Sequence, residues 1–223
     1  MVGASVADFD EVERAHVVVA NELLDNLPVR LLTRQVDGWD EVWVGPGGEE
    51  RRPAGPLPAA FVALSADLAV GSEVPVAEAA GHWVEQVLER LEPGGRLLVV
   101  DYGTTTAELA GRPRAEWLRT FRKQQRGGSP LDEPGMQDVT CEVPWDQLSP
   151  PVDVRRQDDW LRRWGIEELV AEGRRVWAER AGIGDLAALR ARSRVAEASA
   201  LLDPDGLGAF VVLEWRAARL HTQ

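Results

Sequence analysis

Two short runs of branched apolar residues bracket an amphipathic helix pattern, and that order narrows the folds open to the chain. His16-Val-Val-Val-Ala20 stops at the polar pair Asn21-Glu22, and Arg96-Leu-Leu-Val-Val100 stops at Asp101. Runs this short, rich in valine and closed by polar residues, read as buried parallel strands. From Pro75 to Leu91 the apolar residues fall at Val76, Ala80, Trp83, Val84, Val87, Leu88 and Leu91. That is the i, i+3, i+4, i+7 rhythm of a helix with one buried face. Pro75 suits its first turn, and Pro93-Gly94-Gly95 suits its end. Parallel strands need a crossover, normally a right-handed helical one. The two runs are therefore expected to be neighbouring parallel strands of an α/β fold.

The flanking segments read differently. Val29–Val36 and Trp39–Val44 are apolar-rich and separated by Asp37-Gly38, a strong hairpin signal of type I′. Gly45-Pro46-Gly47-Gly48 makes a second turn. A phosphate-cradling loop is the functional alternative there, but it needs a helix opening after it, and no helical pattern follows. Arg51–Pro58 reads as a Pro/Gly-rich connection, so residues 29–58 form a hairpin insertion. Residues 104–151 are loop-rich, with a helical stretch expected around Ala115–Lys123. Trp160, Leu161, Trp164, Leu169 and Val170 suggest packed helix, Val176–Leu201 reads as helix, and Gly206–Trp215 as a closing strand. All 223 residues are expected to form one domain.

Charge and composition exclude several classes. The net charge of −12 disfavours a grip on nucleic acid or an anionic membrane and favours a cationic partner. No run approaches the roughly 18 apolar residues of a membrane span. Met1–Asp8 has neither the basic start nor the apolar stretch of a secretory signal. Cys141 is the single cysteine, so no internal disulfide forms, and His16, His82 and His221 follow no ligand spacing, so no metal site is expected. A cytoplasmic protein fits these features.

In open α/β sheets ligands bind outside the carboxyl ends of the parallel strands. Two polar clusters stand at such ends: Asn21-Glu22-Leu-Leu-Asp25-Asn26-Leu-Pro28, and Asp101-Tyr102-Gly103. Helix capping and a solvated loop would account for both without any chemistry. The stretch Leu91-Glu-Pro-Gly-Gly-Arg-Leu-Leu-Val-Val-Asp101 resembles the approach to the fifth strand of class I (Rossmann-like) methyltransferases. Val18-Val-Ala-Asn-Glu-Leu-Leu-Asp-Asn-Leu-Pro-Val29 resembles the signature loop of the MidA-like methyltransferase family, which includes a mitochondrial complex I assembly factor that methylates a protein arginine. Val100-Asp-Tyr-Gly103 is similar to that family's next motif. Leu118–Arg122, Pro130-Leu131, Pro134-Gly135 and Asp138-Val-Thr140 follow a third block in order and spacing, and Gly206–Leu213 resembles its final strand.

The resemblance implies S-adenosylmethionine (SAM) as cofactor and a protein substrate presenting an arginine or a basic segment. Glu22 and Asp25 are then the candidate catalytic carboxylates, fixing the guanidinium plane by bidentate hydrogen bonds. Asn21, Asp101 and Tyr102 are the candidate cofactor-side residues, with Asp101 either contacting cofactor or supporting the loop. Arg119 and Arg122 either orient the site or form a solvated face. Two departures stand out. Gln124 occupies the place of a family histidine, so any role of that imidazole is absent. Only about 15 residues precede the first strand, too few for the glycine-rich strand–turn–helix that holds SAM in this fold. The expectation is a partial methyltransferase fold, truncated at its amino end, inactive by itself, with an apolar strand edge open to self-association. The alternative is a non-catalytic binding or assembly module. A nucleotide-dependent oxidoreductase lacks support, since no Gly-x-Gly-x-x-Gly follows a strand.

Overall fold

A computed structural model of the chain describes residues 13–123, 125–132 and 134–218. His221 and Gln124 lie outside the described residues. The elements in chain order are β1 (Ala15–Asn21), β2 (Arg30–Gln35), β3 (Gly38–Gly45), β4 (Gly48–Pro53), α1 (Ala59–Leu64), β5 (Glu73–Val76), α2 (Glu78–Glu89) and β6 (Leu91–Asp101). Next come β7 (Gly103–Thr104), α3 (Thr106–Ala110), α4 (Arg114–Trp117), β8 (Leu118–Arg122), β9 (Gln125–Arg126), β10 (Asp138–Cys141) and β11 (Val143–Pro144). The last are β12 (Asp153–Arg156), α5 (Gln157–Arg163), α6 (Ile166–Arg180), α7 (Leu186–Leu201) and β13 (Val211–Arg216). They divide into two compact units: Met1–Val152 with Glu214–Gln223, and Asp153–Leu213.

In the first unit β1 and β6 pair in parallel, with Val17 opposite Arg96 and Asn21 opposite Val100. The connecting helix α2 buries Ala80, Trp83, Val84 and Val87 and packs on β6, whose Leu97 and Val99 are fully buried. The strand–helix–strand expectation is met. Its boundaries differ, because Pro75 does not open the helix. It sits in β5 opposite Leu31 of β2, at the end of a sheet ordered β4-β3-β2-β5, where a missing N–H costs no ladder bond. Pro93-Gly94-Gly95 lies inside β6 as an irregularity, and the register with β1 shifts there. Gly94 has φ of +78°. A Cβ on Gly95 would stand 2.8 Å from the Glu92 carbonyl oxygen and 3.0 Å from that of His16, so only glycine lets the strands approach. Residues 214–218 run along this strand, with Ala217 N–H donating to the Gly95 carbonyl at 2.9 Å.

Residues 29–76 form an antiparallel sheet of four strands around the buried cluster Leu32, Phe61, Val74 and Val76, with Trp39 edge-on to Phe61. The hairpin is present, but its turn is not at Asp37-Gly38. Gln35 pairs with Gly38, so Val36 and Asp37 are the central residues, and neither has the positive φ of a type I′ turn. The burial of Leu32 fixes this register, since a one-residue slip would turn it to solvent. Gly45–Gly48 joins β3 to β4 as a hairpin, and Arg51–Pro53 is strand where a connection was expected. Residues 115–123 are mainly strand: α4 ends at Trp117, and β8 pairs with β10 and β9.

In the second unit β12 lies beside the first half of β13. The expected helix over 176–201 is two helices, α6 and α7, broken at Gly184, whose φ is +66°. Asp185 caps α7, accepting from the Ala188 N–H at 3.0 Å. Among the described residues no helix is long and apolar enough to cross a membrane.

Candidate active site

The carboxyl ends of β1 and β6 lie side by side, and the segment from Asn21 to Asn26 turns back over them. The β ladder ends with Glu22 N–H donating to the Val100 carbonyl at 2.9 Å. Glu22 itself has φ of +50°, a left-handed backbone that costs a non-glycine residue about 1–3 kcal/mol. Asp101 holds the turn that follows. Its Oδ2 accepts from the N–H groups of Leu23 at 3.1 Å, Leu24 at 2.8 Å and Asp25 at 3.4 Å. Its Oδ1 accepts from Tyr102 N–H at 2.9 Å. A fully buried carboxylate thus satisfies three backbone donors that open the tight 3₁₀ turn, and a fourth, Tyr102 N–H, that follows its own strand.

The five residues singled out in the sequence are brought together here. Asn21 Nδ2 donates to Glu22 Oε1 at 3.2 Å. Asp25 is buried, and its Oδ1 accepts from Asn26 Nδ2 at 2.6 Å. Burial first, and the neighbouring charge of Glu22 second, raise the Asp25 carboxyl to about 6. Burial and then the charge of Asp25 raise Asp101 to about 7, against the pull of its N–H donors. Tyr102 is also raised, by burial and then by Glu22. Among the described residues Asp25 meets no cationic side chain.

Glu22, Asp25 and Tyr102 face a cleft of about 400 Å³ whose other wall is built from 104–151. Arg119, Phe121, Asp138 and Thr140 line it, with Asp138 opposite Phe121 and Thr140 opposite Arg119 in the β8–β10 pair. Arg119 bonds Glu142 and stands over the Tyr102 ring, 5.8 Å from its centroid; Arg122 does not line the cleft. The loop-like composition of 104–151 conceals this wall in the sequence. The alternation in Leu118-Arg-Thr-Phe-Arg122 is a period-2 strand signal that could have exposed it. Cys141 lies in the wall too, and burial pushes its thiol up to about 12, so it is no nucleophile near neutral pH.

Residues 5–155 match the family model Methyltransf_28, described as "Putative S-adenosyl-L-methionine-dependent methyltransferase". Over 170 residues the chain is 27% identical to the mitochondrial protein arginine methyltransferase NDUFAF7 homolog of Caenorhabditis elegans, a match covering 68% of this chain and 38% of that protein. A COG1565 superfamily member from Burkholderia thailandensis, bound to S-adenosyl-homocysteine, superposes with a TM-score of 0.67 at 28% identity, over 91% of this chain and 54% of that one. A native crystal structure of a COG1565 protein from the same organism gives 0.69 at 27%, over 92% and 56%. The chain thus spans little more than half of these structures and less of the curated relative. With the family model matched over most of its length, the chain belongs to the S-adenosyl-L-methionine-dependent methyltransferase family Methyltransf_28.

Proposed function

We propose that this chain supplies the methyl-acceptor side of a methyltransferase acting on a protein arginine. The observation that carries the reading is Asp25: a desolvated carboxylate beside two other carboxylates, with no cation to meet it among the described residues. A guanidinium entering the cleft would supply the missing charge. Glu22 and Asp25 would hold its plane and localise electron density on the attacking nitrogen. The raised Asp25 carboxylate is also a better acceptor than an ordinary one for the proton that the nitrogen loses. The C. elegans relative, named as a protein arginine methyltransferase, supports the same acceptor.

SAM, when bound, supplies the electrophilic methyl group. The acidic, aromatic-edged cleft fits a cationic sulfonium, with Tyr102 in its lining and Asn21, which donates to Glu22, proposed as the second contact. Asp101 is better placed as a positioning residue, because both its oxygens already serve backbone N–H groups. The remainder of the cofactor is proposed to rest on the part of the fold that the Burkholderia structures carry beyond this match. For the 223-residue chain alone this means weak SAM binding and no turnover. With its thiol buried and free, the chain is read as working in a reducing compartment such as the cytoplasm.

The test is a chimera joining these 223 residues to the unmatched part of the S-adenosyl-homocysteine-bound relative. The expected result is transfer of labelled methyl to arginine in proteins of a cell extract, with Glu22→Gln abolishing transfer and leaving S-adenosyl-homocysteine affinity unchanged. A chimera that binds S-adenosyl-homocysteine but methylates equally with and without Glu22 would contradict the reading. Titration calorimetry on the chain alone checks the second part, which micromolar SAM binding would overturn.

A further inference from the structure

A second cleft in the same unit, of about 440 Å³, has the opposite electrostatic character. Arg34, Arg51, Arg112 and Arg114 line it, with Glu73 the one carboxylate among the lining residues. In a chain of net charge −12, four guanidiniums around one cleft stand against the overall field. The cleft is formed where β2 and the turn before β5 face the turn from α3 to α4. Arg51 and Arg114 share Glu73, at 3.0 and 3.7 Å, Arg114 also pairs with Glu49 at 2.9 Å, and Arg112 pairs with Glu142, so Arg34 carries the open charge of the four. Arg34 meets no carboxylate among the described residues; it lies 5.3 Å from the Trp39 ring centroid and donates to the Gly38 carbonyl at 3.2 Å.

Two polar atoms of lining residues are buried without a hydrogen-bond partner among the described residues, Thr33 Oγ1 and Arg114 Nη1. Thr33 is only 4% exposed. Orphaned buried polar groups are rare and costly. Arg114 Nη1 can only donate and the Thr33 hydroxyl can donate as well as accept, so one acceptor would serve both. We propose that this cleft binds an oxyanion, a phosphate either free or carried as a monoester on a small molecule. A tetrahedral phosphate accepts from several donors at once, pairs bidentately with guanidiniums, and would take up the Thr33 hydroxyl and the Arg114 N–H. It would also balance the charge that Arg34 leaves open. The site uses none of the cleft residues assigned to methyl transfer.

The experiment is titration of the 223-residue chain with inorganic phosphate and with adenosine 5′-monophosphate at constant ionic strength, by calorimetry and by thermal shift, with chloride as control. Saturable binding on the order of millimolar or tighter is expected. Equal response to both probes assigns the free anion, and tighter binding of the nucleotide assigns the monoester. Arg34→Gln should weaken binding about tenfold, the loss of one charge-assisted bond. Thr33→Val keeps the shape, removes an unsatisfied hydroxyl, and should leave the fold at least as stable while weakening binding severalfold. Arg112 is left intact because it shares Glu142 with Arg119 of the first cleft. No saturable response to either probe, or equal affinity in wild type and in a folded Thr33→Val variant, would overturn the site.

Discussion

The end of the β1–β6 pair and the sheet β4-β3-β2-β5 use their buried space in opposite ways. The antiparallel sheet buries Leu32, Phe61, Val74 and Val76, a cluster whose only evident product is stability. The strand ends bury Asp25 and Asp101 and keep Glu22 in a left-handed backbone, each of which opposes folding. The second region is held in shape by the hydrogen bonds of Asp101, and the surrounding apolar packing must outweigh its costs. Strain and buried charge gathered at one place are the ground on which the site is proposed there.

Substitutions can break this contrast. The largest effect is expected at the apolar cluster: Phe61→Ala should cost about 3–5 kcal/mol in urea unfolding, with S-adenosyl-homocysteine affinity of the folded chimera unchanged. A smaller effect of opposite sign is expected at Asp25. Its folded carboxyl titrates near 6 and that of Asp101 near 7, above the ordinary 3.8. Between about pH 4 and pH 7 the folded chain therefore retains protons that the unfolded chain has released, and stability falls as pH rises through that window. Asp25→Asn should flatten the fall and raise stability at pH 8 by about 1–2 kcal/mol, read as the urea midpoint at pH 5, 6 and 8. An unchanged pH profile would deny the buried charge. The smallest effect is at Glu22, where Glu22→Gly should add about 0.5–1 kcal/mol by relieving the left-handed backbone while removing the carboxylate.

What the sequence disclosed follows the same division. The parallel pair, its helix and the meeting of Asn21, Glu22, Asp25, Asp101 and Tyr102 were legible, because buried strands and an amphipathic helix each carry their own period and strand ends have a fixed polarity. The turn at Val36-Asp37 was not, because register depends on which face Leu32 buries and not on the local Asp-Gly signal. Nor was the β8–β10 wall. Its strands are short, and the 15 residues between Arg122 and Asp138 look like loop until the pairing of Thr140 with Arg119 is seen. The second cleft was equally hidden, since Thr33, Arg51, Arg112 and Arg114 converge only through tertiary structure.

The central claim is that the strand-end carboxylates orient a cationic acceptor. Its most direct measurement is single-turnover methyl transfer by the chimera carrying these residues, comparing wild type with Glu22→Gln and Asp25→Asn. The expected result is unchanged S-adenosyl-homocysteine affinity and a fall of about a hundredfold or more in methylarginine formation for each variant. Methylarginine formed at the wild-type rate by either variant would contradict the claim.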